Sequence, residues 1–169
     1  MKLKLFLLLL IHSLAVNAQS PLPLVPAPVS MTMGKGNFIL SPQTTIVLEG
    51  SNLEKEASFL NDYLKQFYRY SLPVVTKKTN QQSIVLNYER LDQALPGAYN
   101  MHINDKEVYI AGDNADGVFY GIQTLIQLLP VNPVNDQLAI PQLSIEDHPR
   151  FGYRGMHLDV ARHFFSVKE

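Results

Sequence analysis

The sequence predicts an α+β domain, a small and mainly antiparallel sheet with two helices packed on it. Three observations carry that prediction. Short β-type runs follow one another as hairpins. Two longer segments repeat apolar residues at three- and four-residue steps. Strands and helices do not alternate strictly, as a parallel βαβ array would require. The 169 residues, 46% apolar and 17% charged, are enough for one buried core. A net charge of −1 gives no electrostatic case for nucleic acid or an anionic membrane as partner. With no cysteine, neither a disulfide framework nor a thiolate site is available.

Residues 1–18 open with Lys2 and Lys4, continue as an apolar run from Leu5 to Ile11, and end on Val16 and Ala18. That is the layout of a cleavable export signal, with cleavage expected between Ala18 and Gln19. The alternative is a membrane anchor, but the run is well short of the roughly 20 residues a spanning helix needs. The mature chain is therefore expected outside the cytoplasm, periplasmic or secreted, with no membrane attachment after cleavage.

A proline-rich lead-in follows, with Pro21, Pro23, Pro26 and Pro28, extended because each ring fixes φ and removes a donor. Phe38-Ile39-Leu40 and Thr45-Ile46-Val47-Leu48 read as two strands of a hairpin about Ser41-Pro42-Gln43. Ser51 and Glu54 match a capping box. Behind them Leu53, Ala57, Leu60, Leu64 and Phe67 describe a helix to Tyr68. The aromatics Phe59, Tyr63, Phe67, Tyr68 and Tyr70 are read as core and rim rather than as a ligand platform. Leu72 to Val75 and Ser83 to Tyr88 are strands. Tyr99, Met101 and Ile103 alternate with Asn100, His102 and Asn104, a half-buried strand that turns at Asn104-Asp105 into Val108 to Ala111.

Asp113 or Asn114 caps the second helix, with Asp116 favourable in its first turn. Its apolar face is Val118, Phe119, Ile122, Leu125, Ile126 and Leu129, and Pro130 and Pro133 end it. A last strand runs from Leu138 to Ile145. No catalytic constellation appears between residues 19 and 147, so this part reads as structural.

The stretch from His148 to Phe165 differs. It gathers Arg150, Arg154 and Arg162 with His148, His157, His163 and Asp159 among aromatic and aliphatic residues. Arg154 to Val160 can form a buried strand ending at Asp159, and Gly155 admits another backbone closely. The arginine forks suit carboxylates or sugar hydroxyls. An ion network stapling two domains, for instance Asp159 with Arg162, fits the same spacing. The segment is expected to open a second domain whose remainder lies beyond Glu169.

The run Asp147-His148-Pro149-Arg150-Phe151-Gly152-Tyr153-Arg154-Gly155, continuing through Leu158-Asp159-Val160-Ala161-Arg162-His163-Phe164-Phe165, resembles the entry to the catalytic domain of family 20 glycoside hydrolases, the β-N-acetylhexosaminidases. Gly117-Val118-Phe119-Tyr120-Gly121-Ile122-Gln123-Thr124-Leu125 and the residues to Leu129 resemble the second helix of the α+β domain that precedes it. Val25-Pro26-Ala27-Pro28 is similar to the usual lead-in.

Behind the export signal over 1–18, the resemblance implies the non-catalytic α+β domain over 19–147 and, over 148–169, the first strand of a (β/α)₈ barrel. A whole barrel needs roughly 250 residues. It implies a retaining hydrolase of terminal β-linked N-acetylhexosamine that uses the substrate's own acetamido oxygen as nucleophile. The Asp-Glu pair that would serve it is absent here, so the chain alone is expected to be inactive. Arg154 corresponds to the family's sugar-binding arginine, and Asp159, Arg162 and His163 are expected to support the site or the strand. The expected partner is an N-acetylhexosamine-containing glycan. No cofactor or metal is implied, and His157 is not read as a ligand. The rival reading is a free-standing sugar-binding or interaction module. Related glycosidases sharing a similar leading domain are a third.

Overall fold

The computed structural model describes residues 22–89, 95–131, 138–157 and 166. The leader over 1–18 lies outside these residues, as do Asp159, Arg162 and His163. The described elements are β1 (Ser30–Leu40), β2 (Thr45–Leu48), α1 (Glu54–Tyr68), β3 (Val74–Val75), β4 (Ser83–Tyr88), β5 (Tyr99–Ile103), β6 (Glu107–Gly112), α2 (Ala115–Leu128) and β7 (Leu138–Asp147). Their strands form one sheet in the order β1-β7-β5-β6-β4-β2-β3. The α+β class with two helices on one sheet is as the sequence predicts. The ladders divide evenly, with three antiparallel (β1–β7, β7–β5, β5–β6) and three parallel (β6–β4, β4–β2, β2–β3).

Both helices cover the same face. Phe59 on α1 meets Phe119 on α2 edge-on, with centroids 5.0 Å apart. Beneath them Ala57, Leu60, Leu64, Val118, Ile122 and Leu125 pack onto Ile46, Ile84, Leu86, Met101 and Ile110 in one buried cluster. Alternation along the strands sends the intervening residues to the other face. There His102 is exposed and bonds the hydroxyl of Ser144 at 2.9 Å.

β1 and β2 do not form the expected hairpin. β1 pairs with β7 at one edge, and β2 lies between β4 and β3 at the other. A flat sheet would separate them by about 24 Å, at the usual spacing of about 4.8 Å per strand. The five-residue step from Leu40 to Thr45 spans at most about 18 Å, so the sheet must coil. At that end β7 overhangs β5. Leu138 and Ile140 pair only with β1, opposite Leu40 and Phe38. All four are buried in the helix-side core. Local β propensity at both ends of a turn could not reveal that β7 would claim β1.

Other boundaries also move. β1 begins eight residues before Phe38, through a register shift between Met33 and Asn37, because β7 runs beside it. β3 starts at Val74 rather than Leu72. Asn61 of α1 takes both backbone groups of Leu72, accepting from its N–H at 2.7 Å and donating to its carbonyl at 3.0 Å, which leaves Leu72 no ladder to join. The Ser51 capping box is not formed. Leu53 stands at the N-cap of α1 with no side-chain bond. Phe67, expected in the apolar face of α1, is 57% exposed. Phe59 is exposed as well, so neither is core. Beyond β7, residues 151–157 carry no strand and are all exposed. The strand expected over 154–160 therefore has no ladder in its described half, and Leu158 to Val160 lie outside the described residues.

Candidate functional site

α2 has a second stripe besides its core-facing one. Tyr120, Gln123, Thr124 and Gln127 follow the i, i+3, i+4, i+7 spacing of one helix face. They line a cleft of about 640 Å³ closed on one side by Val25 to Ala27 and on the other by Asp147 to Phe151 with Arg154. α2 is fixed at its start by Asn114, whose Oδ1 accepts from Gly117 N at 2.9 Å. That decides the cap between the two candidates. Asp113 instead turns back, and its Oδ1 accepts from Gly97 N at 3.1 Å. Gly97 has φ of +85°, and a Cβ there would stand 2.7 Å from the Tyr120 ring and 3.2 Å from Pro149. Only glycine leaves the phenol room to reach the cleft.

Most polar groups on the floor are already occupied. The Tyr99 hydroxyl shares a 2.7 Å hydrogen bond with Thr124 and donates to Asp147 Oδ2 at 3.3 Å. Burial pushes the Tyr99 phenol well above its ordinary value, reinforced by the Asp147 carboxylate. The other oxygen of Asp147 accepts from Val29 N at 3.1 Å. Gln127 holds the lead-in with its amide, accepting from Val25 N at 2.9 Å and donating to Val25 O at 3.1 Å. With both oxygens engaged, Asp147 serves as an anchor for the strand end and the lead-in.

Arg154, the residue expected to bind substrate, is brought to this cleft. Its Nη2 donates to the Tyr120 hydroxyl at 3.0 Å, and its guanidinium carbon lies 5.1 Å from the Tyr120 ring centroid. The side chain is exposed. Arginine has five N–H donors, so four remain after the described bond. His157 is exposed and stands outside the cleft. Where Asp159, Arg162 and His163 sit relative to Arg154 lies outside the described residues. The geometry offers planar donors beside an aromatic ring, which suits gripping hydroxyls rather than breaking bonds. Tyr99, Tyr120, Gln127 and Asp147 were not singled out from sequence as site residues. The polar i, i+3, i+4, i+7 stripe along α2 was the available signal.

A family model described as glycosyl hydrolase family 20, domain 2, matches residues 22–148. A β-hexosaminidase of Porphyromonas gingivalis (strain ATCC BAA-308 / W83) is 35% identical over 154 residues, covering 86% of this chain and 20% of the relative. One of Vibrio furnissii is 34% identical over 148 residues, covering 87% of this chain and 23% of the relative. Among solved structures, a GH20 exo-β-N-acetylglucosaminidase from Vibrio harveyi in complex with N-acetylglucosamine superimposes with a TM-score of 0.73 at 27% identity. That match covers 87% of this chain and 22% of the other. This chain thus spans about a fifth of the length of these relatives.

Proposed function

This chain belongs to glycoside hydrolase family 20, as its domain 2 region, and on that premise we propose that it is the front part of an exported β-N-acetylhexosaminidase. The match over residues 22–148 carries the proposal. In this reading residues 1–18 direct export to the periplasm or the exterior. The α+β domain braces a (β/α)₈ barrel that opens at residue 148. The whole enzyme removes terminal β-linked N-acetylhexosamine with retention. The substrate's acetamido oxygen attacks the anomeric carbon, while a glutamic acid protonates the departing oxygen and an adjacent aspartate steadies the acetamido group. Because the nucleophile is tethered to the sugar, attack is intramolecular.

The carboxylate pair would lie beyond Glu169, so residues 1–169 alone have no hydrolase activity. Arg154 is the substrate-binding residue this part contributes, its fork gripping two neighbouring sugar hydroxyls. Its exposure, and the four donors left after its bond to Tyr120 among the described residues, support that role. Asp159, Arg162 and His163 are proposed as supports of the site or of the barrel strand.

The test is to read the gene past the codon for Glu169 and assay the product on a chromogenic N-acetyl-β-D-glucosaminide. Turnover by the longer product and none by residues 1–169 is the expected result. A stop codon directly after Glu169 would leave the rival reading, a non-catalytic binding module.

A further inference from the structure

The sheet face away from the helices carries a row of its own. Thr32 of β1 stands opposite Ser144 of β7, Ser144 opposite His102 of β5, and His102 opposite Tyr109 of β6. Directly opposite residues share a face, so four strands set these side chains in one line about 14 Å long, at about 4.8 Å per strand. Two hydrogen bonds fix the rings along it. His102 Nδ1 and the Ser144 hydroxyl lie 2.9 Å apart, and Asn87 donates to the Tyr109 hydroxyl at 2.9 Å. The row does not run on. Its next members, Val85 of β4 and Val47 of β2, are fully buried. Lys78 pairs with Glu107 of β6 at 3.0 Å and with Glu49, just past β2, at 3.5 Å. The bridge thus crosses β4, which lies between those strands, and closes the row at that end with charges that satisfy each other.

We infer that this row is a glycan-binding site, distinct from Arg154, that takes a neutral oligosaccharide laid across the strands. The inference goes beyond the proposed function and needs no residue past Glu169. Several features commit it to that ligand. β5, β6 and β7 are each flanked by strands on both sides, so a peptide cannot add there as a further strand. A protein partner needs an apolar centre, and none of the large apolar side chains exposed among the described residues stands on the row. Nucleic acid or an anionic surface needs free cations. Here Lys78 is already paired, and the other charge beside the row is Glu146, opposite Asn100. What the row does offer is hydroxyl, amide and imidazole groups that donate and accept, beside the flat rings of Tyr109 and His102. Sugars present the complementary pair of features, a rim of hydroxyls and an apolar C–H face that packs on a ring. Thr32, His102 and Ser144 are exposed, so a ligand has access.

Titration of residues 1–169 with the β-linked trimer of N-acetylglucosamine, followed by amide NMR, tests this. The signals of Asn100, His102, Tyr109 and Ser144 should shift together and saturate. His102→Ala and Tyr109→Leu each remove one ring and should each weaken binding about fivefold, with folding checked by circular dichroism. His102 is exposed, so its variant keeps the test sound where Tyr109→Leu disturbs the sheet. The absence of saturable shifts at millimolar trimer would overturn the inference. So would shifts confined to Tyr120 and Arg154, which would seat the glycan only at the cleft already described, and so would an affinity unchanged in His102→Ala. The gene sequence past Glu169 decides the proposed hydrolase separately, and either answer there leaves this test intact.

Discussion

Arg154 and Tyr120 are joined twice over, by a hydrogen bond of 3.0 Å from Nη2 to the phenol oxygen and by a guanidinium stacked 5.1 Å from the ring centroid. The pair links the segment that leaves the sheet to the helix that anchors it. Because Arg154 is exposed, the pair is worth less than about 1 kcal/mol to stability. Its effect is order rather than energy. Tyr120→Phe keeps the ring and removes the hydrogen bond, and Tyr120→Leu removes both contacts. Melting temperatures should stay close to that of the unaltered chain. The Arg154 side-chain Nε resonance should sharpen toward a free arginine partly in the first variant and fully in the second. A resonance unmoved by Tyr120→Leu would show that the contact is not formed in solution.

On the proposed reading, Arg154→Ala in the complete gene product should raise KM and lower kcat/KM for N-acetylhexosaminides by about 2 kcal/mol or more, roughly thirtyfold. The reason is desolvation. Sugar hydroxyls that enter a pocket without their donor fork lose water and gain nothing. Steady-state kinetics at matched folding, checked by circular dichroism, decides the matter, and unchanged constants would remove Arg154 from the site.

Gly117→Ala sets two effects against each other. Alanine is the better helix former by about 1 kcal/mol. Its Cβ, however, would overlap the carbonyl oxygen of Ala98, which already accepts the Asp113 N–H at 3.1 Å. A backbone oxygen cannot swing away as a side chain can, so the helix must rise off β5. Overpacking of this kind costs about 2 kcal/mol or more, and the clash wins. Urea denaturation should show a net loss, and a gain would mean α2 sits farther from β5 than its contacts indicate.

These contacts mark what the sequence discloses. The sheet-facing stripe of α2 and the alternation of Tyr99, Met101 and Ile103 were legible, because burial imposes helical or two-residue periods that survive any tertiary detail. The partner of β1 was not. β7 lies about a hundred residues further on, opposite Ile39 at Ala139, and no local pattern encodes that pairing. Phe67 misled for a related reason, since a residue at the rim of an apolar stripe has the same spacing as one at its centre. Arg154 was legible as a candidate through resemblance, whereas its partner Tyr120 stood only inside the run that resembles the family's second helix, with no role given to it.

The two helix starts give a matched pair of substitutions. Asn114→Ala removes the acceptor for Gly117 N and should lower stability by about 1 kcal/mol. Ser51→Ala should stay within about 0.5 kcal/mol, since α1 starts at Leu53 without a side-chain cap. Equal losses in the two variants, measured by chemical denaturation, would restore the capping box at Ser51.

Tyr70 carries a prediction of opposite sign. Its hydroxyl is buried and has no hydrogen-bond partner among the described residues. Burial, aided by nearby Tyr68, pushes its phenol up to about 12. An unpaired buried hydroxyl has lost its water without replacement. Tyr70→Phe should therefore raise stability by about 1 kcal/mol near neutrality rather than lower it. The pH dependence follows from the same burial. The unfolded chain releases this proton near its ordinary value of about 10, while the folded chain holds it to about 12. Between those values the unfolded state binds fewer protons, so stability is full below about pH 10 and declines as pH rises toward 12. In Tyr70→Phe that decline should be shallower, with the remainder assigned in part to Tyr99, whose phenol is also raised by burial. Denaturation midpoints between pH 9 and 12, at the edges of the window set by this linkage, separate the outcomes. A destabilised variant with an unchanged alkaline slope would show that the Tyr70 hydroxyl finds a partner after all.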